Sequence, residues 1–202
     1  MSGTSSLTPD PASMHSEVTP EEVGRRFLML VDSLKSFDAL SATRVRERMQ
    51  LPMTDSEQKV GGHFSAQRPE SGWEYSFSYR IDPEHVRYTN ATLVFNASAQ
   101  NIADTTPACH LDFDTYVNNL QSMGFTEVEG TAEYESPMPH PIIDPETGAV
   151  IDQGERRHFR IPTYLYSRAD VGVVIRQRGD TYAPASVRHR RCVESISVGK
   201  AS

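Results

Sequence analysis

The sequence predicts an α+β fold, an antiparallel sheet or pair of sheets with two main helices, on three observations. Two segments carry apolar residues at helical spacing, each with a capping residue in front. Between and after them, apolar and polar residues alternate with a period of two. The order helix then three strands occurs twice, which suggests related halves at 19–100 and 108–198, although no sequence repeat is detectable. One shared sheet with helices on one face is the alternative.

The first helix is expected to start at Thr19 as N-cap, with Pro20 at N1 and Glu22 at N3 completing a capping box and Val18 and Val23 set for a hydrophobic staple. Val23, Phe27, Leu30, Val31 and Leu34 then form one apolar face. A shorter helical stretch over Ala42–Met49 is stopped by Pro52. In the next segment Trp73, Tyr75, Phe77 and Tyr79 alternate with polar residues, a half-buried strand flanked by Val60, Gly62, Phe64 and Ala66 before it and by a strand at 86–95 after it. Pro69 to Gly72 and Asp82-Pro83-Glu84 supply the turns. The second main helix should be capped by Asp112, run through Phe113, Tyr116, Val117, Leu120 and Met123, and end at Gly124 as C′. Strands are expected at 125–135, 156–166, 170–178 and 192–198.

At 202 residues the chain has the size of one domain, here 19–198, with a short tail at 199–202; it can bury roughly two-thirds or more of its unfolded surface. A formal net charge of −7 argues against nucleic acid or anionic lipid as a general partner and favours a cationic one. The apolar runs are only a few residues long, too short for a transmembrane segment. Residues 1–18, MSGTSSLTPDPASMHSEV, are rich in Ser, Thr and Pro and read as a flexible leader. The two cysteines, Cys109 and Cys192, lack CxxC or zinc-ligand spacing, so they are one disulfide in an exported protein or two inert thiols in a cytosolic one. We take them as a disulfide closing an 83-residue span, worth on the order of 4–5 kcal/mol in the chain-entropy model.

Catalytic signatures are lacking: no GxSxG, P-loop, dinucleotide fingerprint or HExxH occurs, so no catalytic residue, metal ligand or cofactor is assigned. His110 beside Cys109 is explained by a disulfide next to a helix cap. The basic run Arg188 to Arg191 lacks the interleaved aromatics that stack bases. Glu127, Glu129, Glu133 and Glu135 share one strand face, as a docking stripe for a basic partner or as cross-strand partners of Arg156, His158 and Arg160, the plainer account. The segment 136–154 is the most informative. Alternate prolines stiffen its start, Asp144 to Gly148 is a strong turn, and Ile142, Ile143, Val150 and Ile151 flank that turn. With Asp144, Glu146 and Asp152 beside them, these aliphatics describe a hairpin suited to a partner's cleft, or one folded back on its own sheet.

The Ser/Thr-rich leader resembles the spacer that follows the lipidated cysteine of mature bacterial lipoproteins. Together with the acidic charge, a single disulfide and the hairpin, it gives the chain the style of the small periplasmic immunity and inhibitor lipoproteins of bacteria. No motif underlies that resemblance and no residue role follows from it. It implies a noncatalytic protein, periplasmic or tethered to the outer membrane through a lipid, that occludes a basic secreted enzyme of the cell-wall-degrading type. The alternatives are an envelope assembly lipoprotein, an enzyme of another type, or a cytoplasmic protein.

Overall fold

A computed structural model describes residues 18–56, 60–68, 73–97, 111–128, 134–136, 142–143, 150–152, 159–177 and 192–201. The first helix, α1 (Pro20–Ser33), begins where the cap residues put it: the Thr19 hydroxyl accepts the N–H of Glu22 at 3.1 Å. The Glu22 carboxylate accepts from Arg26 one turn on, at 2.8 Å. Val23, Phe27, Leu30, Val31 and Leu34 are all fully buried, as the spacing requires. Helix α2 (Ala42–Met49) is capped by Ser41, whose hydroxyl accepts from Arg44 N–H. Helix α3 (Phe113–Ser122) is capped by the Asp112 carboxylate, which accepts from Thr115 N–H at 2.8 Å. It ends in a Schellman motif. Gly124, at φ +86°, donates to Gln121 O, and Phe125 donates to Leu120 O, with Leu120 and Phe125 both buried.

The strands are β1 (Thr54–Asp55), β2 (Gly61–Arg68), β3 (Trp73–Arg80), β4 (Asn90–Ala97), β5 (Thr126–Glu127), β6 (Tyr134–Ser136), β7 (Ile142–Ile143), β8 (Val150–Asp152), β9 (Phe159–Ile161), β10 (Thr163–Arg168), β11 (Val171–Gln177) and β12 (Val193–Lys200). Eight form one antiparallel sheet in the order β1-β2-β3-β4-β12-β11-β10-β5; β6-β9 and β7-β8 are separate pairs. The shared-sheet alternative is thus the observed one, and each half of the chain gives it four neighbouring strands in mirrored order. The seam is β4 against β12, where Leu93 faces Ile196 and Ala91 faces Val198. Register carries one apolar row across the sheet, Phe64, Phe77, Leu93, Ile196, Ile175 and Tyr164. The helices cover that face, with Phe27 of α1 edge-on to Phe77 at 6.3 Å.

Three strand expectations need correction. The strand expected at 86–95 starts only at Asn90, because residues Val86–Tyr88 form a 3₁₀ turn. The one expected at 125–135 is not continuous: β5 joins the large sheet beside β10, β6 pairs with β9, and 129–133 lie outside the described residues. The one expected at 156–166 divides at Pro162, which has no N–H for a ladder and whose carbonyl accepts from Gln177. The leader, residues 1–17, also lies outside the described residues.

Candidate protein-binding surface

The hairpin expected around Ile142 to Ile151 has its two arms paired, Ile142 opposite Asp152 and Ile143 opposite Val150, while Asp144 and Glu146 lie outside the described residues. The acidic stripe is divided. Glu127 is exposed on β5, Glu135 on β6 is the Cα partner of Arg160, and Glu129 and Glu133 lie outside the described residues. Cys192 is disulfide-bonded and buried, and the one other cysteine of the sequence, Cys109, lies outside the described residues. A lone bridge between Asp112 and Cys192 brings the start of the final strand to the cap of α3. Among the described residues no three His, Cys, Asp or Glu side chains are grouped to hold a metal ion.

A surface that the sequence reading passed over lies between β3 and β4. Asp82 organises it: its Oδ1 accepts from the N–H groups of His85 (2.8 Å) and Glu84 (3.1 Å), and its Oδ2 accepts from Arg80 at 2.7 Å. Thr89 closes the loop reciprocally, its hydroxyl accepting from Asp82 N–H at 2.8 Å and donating to Asp82 O at 3.2 Å. The His85 N–H, then the Arg80 side chain and the Glu84 N–H, hold the Asp82 carboxyl below its ordinary value against a desolvation effect of opposite sign.

This lock presents side chains outward. Tyr88 and Val86 are two of the four exposed large hydrophobic residues of the described structure, at 44% and 40%. The guanidiniums of Arg87 and Arg80 lie 4.7 Å and 5.5 Å from the centroid of the Tyr88 ring, and the His85 ring is 5.8 Å from it. The Asn90 amide donates to Tyr88 O at 3.1 Å, tying the loop to the start of β4. An exposed aromatic clasped by cations on a hydrogen-bonded turn is the residue chemistry of interaction hot spots.

Two depressions are also present. A groove of about 500 Å³ runs between α1 and α3, past Leu28, Met29, Asp32, Leu111, Asn119 and Met123. A recess of about 240 Å³ on the sheet is lined by Asn90, Leu165, Val174, Ser197 and Gly199 among others. Among the described residues, neither is lined by a histidine or a cysteine. Beneath the helices the Tyr116 hydroxyl is fully buried and has no hydrogen-bond partner among the described residues, and burial raises its pKa. Comparison with protein-family models, curated proteins and solved structures finds no match to this chain.

Proposed function

We propose that this protein is a noncatalytic, extracytoplasmic binding protein of the immunity or inhibitor kind, which occludes a secreted enzyme. The observation that carries the reading is the 82–89 loop, where Tyr88 stands exposed between Arg80 and Arg87 on a backbone fixed by Asp82 and Thr89. A loop ordered before docking loses little conformational entropy on binding, so a modest contact area can still bind tightly. The disulfide of Cys192 supports an oxidising compartment. The paired hairpin of β7 and β8 belongs to the same proposal as a second contact, through Asp144, Glu146 and the aliphatics beside them in sequence.

The test is quantitative binding to an exported enzyme identified by co-purification with the full chain. Tyr88→Ala should weaken that binding by about 30-fold or more, the scale of a hot-spot residue, with thermal stability unchanged. Replacing Asp144 and Glu146 together with Ala should weaken it less. Equal affinity in both variants would remove both surfaces, and turnover of a cell-wall or peptide substrate by the isolated protein would refute the noncatalytic reading. Co-purification with envelope machinery instead would favour an assembly lipoprotein.

A further inference from the structure

The 80–89 loop also specifies the chemistry of what it meets. A guanidinium that stacks on a ring uses its flat face and keeps its N–H edges for hydrogen bonds. Arg80 commits Nη2 to Asp82. Arg87 is exposed, stacks on Tyr88 at 4.7 Å, and among the described residues makes no ion pair. Its donors therefore remain in water, oriented by the ring and by a loop that does not have to fold to use them. The acids nearest in sequence do not neutralise it: Asp82 is occupied by Arg80 and two backbone N–H groups, and Glu84 pairs with no cation among the described residues.

We infer that the Arg87–Tyr88 face receives a carboxylate group of the partner protein; this rests on the protein-binding reading of the same loop. A carboxylate fits a guanidinium edge with two parallel hydrogen bonds, and the ring beside it takes the aliphatic part of an acidic side chain. Phosphate has a similar fit, but a chain of net charge −7 is repelled by nucleic acid and by anionic membrane, and one arginine pair on one ring is far short of the basic clusters those surfaces require. The same net charge draws in a partner that is cationic overall. The partner is thus a basic protein with an acidic group at the point of contact, so attraction at long range and pairing at short range act with opposite local signs.

The full chain, labelled with ¹⁵N, is titrated at constant ionic strength with a blocked hexaglutamate peptide, its hexaglutamine counterpart and inorganic phosphate. Hexaglutamate should give saturable shifts confined to the Arg87 Nε–H and the amides of 84–89, hexaglutamine none, and phosphate binding at least about fivefold weaker, since it lacks the aliphatic part that meets the ring. Arg87→Gln should abolish the response and Arg87→Lys weaken it about fivefold or more, because an ammonium lacks the planar fork. Shifts spread over the basic residues generally, phosphate binding as strong as hexaglutamate, or an unchanged response in Arg87→Gln would overturn the inference. If hexaglutamate gives no local response while Tyr88→Ala still weakens the captured partner, the carboxylate assignment fails and the protein-binding reading stands. If Tyr88→Ala leaves partner binding unchanged, that reading of the loop fails as well.

Discussion

Gly24 and Tyr116 set how closely α1 and α3 approach. A Cβ at position 24 would lie 2.3 Å from the Tyr116 hydroxyl oxygen and 2.6 Å from a Leu111 methyl, so Gly24→Ala forces the helices apart and should destabilise the fold by about 1–3 kcal/mol. Tyr116→Phe removes a buried hydroxyl that has no partner among the described residues, and should leave the urea midpoint unchanged or raise it. The double variant should recover part of the loss, because the phenyl ring lacks the nearest clashing atom. At Asp82 the sign of the pH effect follows from a depressed carboxyl. Its folded pKa lies below the ordinary carboxyl value of 3.8, so it stabilises the loop above that pH and the contribution is lost as the pH falls through the folded value. Carbon-detected titration should place its midpoint under 3.8, and amide exchange at Glu84 and His85 should quicken below it. A midpoint above 3.8 would show that desolvation outweighs the hydrogen bonds.

At the scale of elements, helix ends show what local sequence conveys and what it does not. The starts of α1 and α3 and the Schellman end of α3 were legible because each is made by residues within six positions of one another. Lys35 donates locally to Asp32 O at 3.3 Å, but other closing contacts come from afar. Neither α1 nor α3 carries a basic residue in its last turn, and Arg168 of β10 supplies the cation to both, donating to Leu34 O at 2.8 Å and Met123 O at 2.7 Å while it stacks 4.5 Å from the Phe125 centroid. Arg44 does the same for Ser33 O, and Arg26 for the carbonyls of Met49 and Gln50. Arg168→Met, which keeps the aliphatic stem, should lower stability by about 2–4 kcal/mol in urea unfolding, since part-buried carbonyls lose a mostly buried charged donor. A loss under about 0.5 kcal/mol would mean that water caps those carbonyls equally well. The same distinction accounts for the missed loop. Val86, Arg87 and Tyr88 have a strand's composition and alternation, but the bonds from Asp82 and Thr89 that bend them into a 3₁₀ turn depend on side-chain rotamers that no periodicity records.

For the whole molecule, the alternation of apolar and polar residues identified β3 and β11 and placed β12 within two residues at its C-terminal end, because one face of each is buried by helices and the other is not. The pairing of strands across the seam was out of reach, since β4 and β12 carry no mark that selects them for each other. The candidate surface was less legible than the fold: the hairpin arms were anticipated, whereas the clasped tyrosine arises only when β3 and β4 place Arg80 beside the turn. Thiol titration of unfolded, unreduced protein should detect none, and reduction should then lower stability by up to about 4–5 kcal/mol. Two thiols before reduction would remove the argument for an oxidising compartment.

The seam has a consequence for how the chain acquires its shape. Of the eight strands, β12 is synthesised after all the others, yet it lies in the middle, with β4 on one side and β11 on the other. Without it, the remaining strands of the sheet are two separate groups, β1 to β4 and β11 with β10 and β5, each with one long edge lacking its partner. The nascent chain therefore cannot complete its sheet before residue 200 has left the ribosome. Removing residues 193–200 should abolish cooperative unfolding altogether, where deleting a strand at the margin, such as the two residues of β1, should only lower its midpoint.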